Sequence, residues 1–203
     1  MIKSYEDYKF YLEADRLSLN QKKNRPSIIG DLRNDIWKFQ RLLRKLEYIR
    51  NCKTGPIYKV YYYYLRMKYQ RMSYKLNFEV PLNVCGPGLC LVHSGTIIIN
   101  GLAKIGANCR IHSGVNIGTI DSQPDLAPII GDNVYIGPGA KIYGNITIGD
   151  NTSIGTNAVV NKSFVEGNMT VAGIPARKIS DKNSQDLLIQ GTMLVNKQKK
   201  LKF

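Results

Sequence analysis

From Ile130 to Val160 an aliphatic residue stands at every sixth position: Ile130, Ile136, Ile142, Ile148, Ile154 and Val160. Glycine follows four of them, at 131, 137, 149 and 155. A helix repeats about every 3.6 residues and a strand every two, so a period of six demands a solenoid whose short straight segments turn at a fixed interval. Each segment directs one apolar side chain inward. The corner beside it needs a tight backbone with φ > 0, which the glycine after each aliphatic residue is expected to take and which Asn or Asp tolerates. Gly-Asp-Asn at 131–133 and 149–151 supplies these residue types.

The same phase continues backwards through Ile117, Ile111 and Ile105, and then, after a two-residue slip placed between Ile97 and Ile105, through Ile97, Leu91 and Cys85. Three segments close one coil of a triangular prism running from about Pro81 to Val171. Phase is lost between Ile117 and Ile130. The intervening Thr119–Pro128, with two prolines and several polar turn formers, reads as a loop thrown out from the prism, and such loops tend to carry function. Three parts follow: residues 1–78, an N-terminal α-helical region; 79–179, the solenoid; and 180–203, a C-terminal helix or tail whose last seven residues read as frayed.

The chain carries a formal net charge of +14. Residues 1–78 hold 18 Lys and Arg against 7 Asp and Glu, and the remainder 11 against 8, so the basic excess belongs to the N-terminal region. There, Ile36, Phe39, Leu42, Leu43, Leu46 and Ile49 fall at helical spacing, a Gly-Pro pair at 55 and 56 breaks the pattern, and a Tyr-rich basic segment runs from Ile57 to Leu76. These helices are expected to cap the open end of the prism. Packed Tyr rings with solvated Lys and Arg stems account for the segment; peripheral contact with an anionic inner-membrane face is the alternative, and nucleic acid is not expected as a partner. No apolar run is long enough to span a membrane and no secretory leader is evident, so a cytoplasmic location is expected. Cys52, Cys85, Cys90 and Cys109 have no C-x-x-C spacing and read as reduced thiols rather than as a metal site.

Only two histidines occur, His93 and His112, and both lie in the solenoid. A position beside a corner faces outward, and histidine is the commonest general base because it titrates near neutral pH. Two of them in successive coils, beside the ejected loop, mark the candidate catalytic centre.

With the hexad repeat, the His93-Ser-Gly95 segment after Gly86-Pro-Gly-Leu89, and the closing Ala172-Gly-Ile-Pro-Ala-Arg177, residues 78–179 resemble the hexapeptide-repeat acyltransferases, most closely the serine-acetyltransferase-like branch. The resemblance implies a mostly β fold, a left-handed parallel β-helix behind the N-terminal α-helical region, a homotrimer, and acetyl-CoA as cosubstrate with no metal. It implies His93 as the base, oriented by Glu79, with His112 lining the acceptor site. The family's cofactor pattern falls on Gly118, Thr119, Pro138, Thr156, Asn161, Lys162 and Arg177.

Serine acetyltransferases carry an Asp before the catalytic His and an Arg-His-Pro in the extended loop, where this chain has Val92, Leu126 and Ala127. Without fixed partners for an ammonium and a carboxylate, free serine is expected to bind poorly. The expected reaction is therefore acetyl transfer to a hydroxyl of a sugar or polysaccharide precursor. Serine O-acetylation is the alternative; N-acetylation of an amino sugar and a non-catalytic trimeric scaffold are the further ones. A metal-dependent hydratase, needing three His ligands, is disfavoured by the count of two.

Overall fold

The computed structural model describes residues 1–24, 26 and 32–201. An N-terminal helical region is followed by parallel sheets. Helices α1 (Tyr5–Ser18), α2 (Leu32–Cys52) and α3 (Pro56–Leu76) precede fourteen short strands, and α4 (Gly191–Lys200) closes the chain. Ser4 caps α1 by accepting from the Asp7 amide, Pro56 sits in the first turn of α3, and Asn77 ends α3 in the left-handed conformation.

The strands stack into three sheets, each a face of the solenoid. Face one holds β2 (Cys90–Val92), β5 (Arg110–His112), β8 (Tyr135–Ile136), β11 (Ser153–Ile154), β13 (Thr170–Gly173) and β14 (Ala176–Ser180). Face two holds β1 (Phe78–Glu79), β3 (Ile97–Ile99), β6 (Asn116–Gly118), β9 (Lys141–Tyr143) and β12 (Val159–Val160). Face three holds β4 (Lys104–Ile105), β7 (Ile129–Ile130) and β10 (Thr147–Ile148). Pairing is parallel throughout except for the β13–β14 hairpin. Columns of aliphatic side chains fill the interior: Leu91, Ile111, Ile136, Ile154 and Val171 behind face one, and Ile99, Ile117, Ile142 and Val160 behind face two. Each such side chain contributes about 1.5–3 kcal/mol.

Register relocates the expected slip. Leu91 pairs with Ile111, and Ile99, not Ile97, stands in the column of Ile117. The two extra residues therefore lie between Leu91 and Ile99, at the corner bearing His93. The second interruption is where it was expected, with Asp121–Leu126 exposed.

Corner chemistry also differs from expectation. Among the left-handed corner residues are Asn108, Asn133, Asn151 and Asn157, with φ of 55–56°, whereas the glycines directly after the aliphatic positions, at 131, 137, 149 and 155, do not have positive φ. Those glycines answer to close approach: a Cβ on Gly137 would lie 2.8 Å from the Ile154 carbonyl oxygen and 2.9 Å from the Thr156 nitrogen. Along one corner the asparagines form a ladder in which Asn108 donates to Asn133, Asn133 to Asn151 and Asn151 to Asn168, at 2.9–3.0 Å.

The first coil leaves backbone groups without a strand to pair with, and polar side chains of the helices take that strand's place. Arg44, wholly buried, donates to the carbonyls of Cys85 and Gly86. Asp15 accepts from the amides of Gly88 and Leu89, and Gln40 donates to the Leu89 carbonyl while accepting from the Leu91 amide. Asp15 and Glu47 flank Arg44 at 2.8 and 3.0 Å. Burial by itself would lower the Arg44 pKa, but the two carboxylates outweigh it and hold the guanidinium protonated.

The C-terminal segment returns along the asparagine corner. Ser184 donates from its amide to Asn151 and from its hydroxyl to Asn133, Thr192 bonds Asn108, and Ser18 of α1 donates to the Ile189 carbonyl at 3.0 Å. The frayed tail expected from Lys197 is corrected, since Lys197–Lys200 belong to α4 and Val195 is buried against the fold; residues 202–203 lie outside the described residues. The cysteines are free thiols, and burial pushes the Cys90 thiol up to about 11. Among the described residues no helix is long and apolar enough to cross a membrane.

Candidate active site

His93 lies outside the prism, on the corner between faces one and two. It is exposed and left-handed, with φ 65°, a conformation that histidine adopts more readily than most residues. The added pair of residues at this corner makes the excursion. Strand register sets His112 beside Val92, and the two imidazole centroids are 6.2 Å apart. His112 is half-buried, its ring centroid 5.1 Å from that of Tyr135. Burial first, then the charge of Arg110 and the proximity of His93, lower its pKa to about 4. Arg110 Nε donates to His112 Nε2 at 3.3 Å, a bond that requires the neutral ring.

A cleft of about 280 Å³ opens beside His93, between prism and helices. Its walls are the end of α1 (Ser18–Gln21), Ile36 of α2, the strand Cys90–Val92, Arg110 and Ile189 of the returning C-terminal segment. Arg110 is the residue that the sequence reading missed. Its place two positions before His112 on one strand, hence on the same face of the sheet, was the available signal.

Glu79 is not brought to His93. It is exposed on β1 of face two, in register with Ile98, and lines a separate cleft with Arg66, Gln70 and Ser73 of α3. The strand carrying it pairs directly under β3, past the corner from which His93 emerges. Among the described residues no side chain hydrogen-bonds the His93 imidazole.

The cofactor positions, Arg177 apart, divide between two edges of face two. On the His93 edge, successive corners stack. The Gly114 amide donates to Thr96, Gly139 to Ser113 and Asn157 to Pro138, so Pro138 and Thr156 stand in one line with the histidines. Gly118 and Thr119 lie on the opposite edge, where the Gly144 amide donates to the Gly118 carbonyl, and Asn161 and Lys162 follow β12 at that edge. Lys162 is exposed, its Nζ 5.5 Å from the Phe164 ring centroid. Arg177 is exposed on β14, paired with Ala172 on face one. The loop of residues 119–128 leaves from the opposite edge too, so within a protomer the histidines do not sit beside it. Among the described residues no group of three or more His, Cys, Asp or Glu side chains is gathered for a metal ion.

Comparison with known proteins follows the same division of the chain. Residues 127–162 match the family model described as bacterial transferase hexapeptide (six repeats). A serine acetyltransferase of Synechococcus elongatus is 39% identical over 95 residues, 46% of this chain and 38% of that protein. Serine acetyltransferase 1, chloroplastic, of Arabidopsis thaliana is 46% identical over 100 residues, 49% of this chain and 32% of that protein. The match thus spans about a third to two fifths of the length of these curated relatives. Among solved structures, serine acetyltransferase from Brucella abortus strain S19 is 27% identical, with a TM-score of 0.62 over 89% of this chain and 72% of that one. Its complex with coenzyme A is 26% identical, with a TM-score of 0.65 over 88% and 70%. These likenesses imply the left-handed hand of the β-helix, and residues 127–162 carry the repeat of the bacterial transferase hexapeptide model.

Proposed function

We propose that this chain is an acetyl-CoA-dependent O-acetyltransferase in which His93 is the general base. The observation that carries the reading is an imidazole held outside the prism by a widened corner, in line with the Pro138 and Thr156 corners and beside a small cleft. The acceptor hydroxyl gives its proton to His93 as its oxygen attacks the thioester carbonyl carbon. The carbon–sulfur bond then breaks, and the imidazolium returns the proton to the thiolate. A backbone N–H near the corner glycines, other than the Gly114, Gly139 and Asn157 amides that already bond between coils, would hold the developing oxyanion, and no acyl-enzyme is needed. Stacked corner backbone suits the amides of a pantetheine arm, and Lys162 and Arg177 are exposed cations suited to its phosphates.

A homotrimer is part of the proposal. The cofactor residues other than Arg177 occupy two edges of face two, and packing one protomer's edge against the other edge of its neighbour would gather them.

For the acceptor, the relatives named above are serine acetyltransferases, which supports L-serine, the alternative reading of the sequence, over a sugar hydroxyl. Val92, Leu126 and Ala127 remain the observation in favour of a sugar. Thiol release from acetyl-CoA with L-serine, with neutral and acidic sugars, and with the His93→Asn variant separates these readings. A scaffold without catalysis would give no histidine-dependent thiol release with any acceptor.

The α3 surface supports the proposed membrane contact. Ile57, Val60, Tyr61, Tyr64, Met67 and Tyr74 form an exposed stripe on a helix with five basic and no acidic residues. Sedimentation with anionic but not with neutral vesicles is the expected result.

A further inference from the structure

We propose that Arg110 binds an anionic group, a carboxylate or a phosphate, on the acceptor whose hydroxyl is presented to His93; the inference rests on the acetyltransferase reading above. Arg110 is the one charged side chain, His93 apart, among the described residues that line the cleft. It is half-buried and, among the described residues, has no acidic partner, unlike Arg16 and Arg44, each paired with a carboxylate within 3 Å. Its Nε is committed to His112, which is itself packed on Tyr135. That bond fixes the plane of the guanidinium and leaves both terminal nitrogens as donors, the fork geometry that receives a carboxylate or phosphate through two bonds. A neutral cleft would gain nothing from a desolvated, unpaired guanidinium, whereas an anion bound there recovers its cost.

Strand register fixes the distance between recognition and chemistry. Arg110 pairs with Cys90, and His93 follows Val92 on the neighbouring strand. The anion and the reacting hydroxyl therefore belong to one small molecule or one sugar ring, and the cleft volume suits that size. The acceptor class is a hydroxy acid, an acidic sugar or a phosphorylated alcohol. This gives a carboxylate a partner that Val92, Leu126 and Ala127 do not supply.

Two measurements test it. The chain has two histidines, so imidazole proton resonances can be assigned with His93→Asn and His112→Asn. Acetate and inorganic phosphate are then titrated against chloride at equal ionic strength. An anion on Arg110 offsets the charge that lowers the His112 pKa, so either anion should raise that pKa, and Arg110→Gln should abolish the response. Acetate acting alone indicates a carboxylate, phosphate acting alone a phosphate. No response to either, or the same response to chloride, overturns the inference.

Thiol release is then compared for L-serine against its methyl ester, galacturonate against galactose, and glycerol 3-phosphate against glycerol. An acidic acceptor should be preferred, and Arg110→Gln should raise its KM about tenfold or more with little change in kcat. Equal use of acidic and neutral partners overturns the inference while leaving the acetyltransferase reading intact. Absence of transfer in every arm counts against that reading, and the resonance titration still decides the role of Arg110.

Discussion

The coil that begins at Cys85 and the coils from Ile130 to Val160 are built on one plan and held by opposite means. The later coils are regular, with their aliphatic columns fully buried, close-approach glycines and an asparagine ladder, and each coil pairs with its neighbours. The first coil has two additional residues and a histidine with positive φ, and its free edge is satisfied by buried ionic and amide side chains from α1 and α2. Regularity serves stability, and the departure from it creates the corner proposed as the catalytic one. The extra residues can be accommodated because helices, rather than a further coil, set the position of that edge.

Each half of this comparison can be broken separately. The largest effect is expected from His93→Asn, which keeps a residue tolerant of the left-handed corner. Thiol release should fall by about 10²- to 10⁴-fold with the melting temperature unchanged. A matching loss of stability would mean that the corner is held by the ring.

Next, Arg44→Ala strands Asp15 and Glu47 in the interior and should cost about 3–5 kcal/mol in urea unfolding. Ile136→Ala in a regular coil should cost about 2–5 kcal/mol by opening a cavity. The two should differ in what rescues them. Replacing Arg44, Asp15 and Glu47 together by apolar residues should fail to restore stability, because Cys85, Gly86, Gly88 and Leu89 would then lose their hydrogen-bond partners.

A smaller loss, about 1–2 kcal/mol by the same measurement, is expected for Asn151→Ala, which removes two ladder bonds and puts an alanine at φ 56°. Asn151→Gly should recover the backbone share.

The last effect concerns pH. His112 is neutral in the folded state down to about 4, whereas the unfolded chain takes up the proton near 6.5. Between those values the unfolded state binds more protons, so this group lowers stability as pH falls from about 6.5 to about 4. In melting curves across that window, His112→Asn should flatten the decline relative to the unaltered protein.

The regular coils were legible because their signal is local. One aliphatic residue in six, with Gly-Asp-Asn after it, states the period, the corner and the column at once. The left-handed position was misassigned to glycine because glycine both permits positive φ and permits close packing, and composition alone does not separate the two uses. The slip was misplaced for a related reason: Ile97, Ile98 and Ile99 can each satisfy the hexad, and only pairing with β6 selects Ile99. Glu79 looked one coil away from His93, and in sequence it is, but the corner between β2 and β3 turns the two onto different clefts. Asp15 was invisible as a structural residue, since its partners lie in other elements and no spacing encodes a contact between α1 and Gly88, whereas Arg110 was readable in principle from its place two positions before His112 on one strand.

The helices that finish the first coil also decide what this protein does in company. A parallel β-helix with its end uncovered is a template on which the next chain's last coil could continue the stack, and repetition would give a fibre. Here every donor and acceptor at that end named above is already engaged by Asp15, Gln40 and Arg44, while the β13–β14 hairpin turns the strand direction at the other. Both ends thus oppose continuation of the parallel stack by a second chain: the first coil because its exposed groups are taken, and face one at the other end because its last strand runs the opposite way.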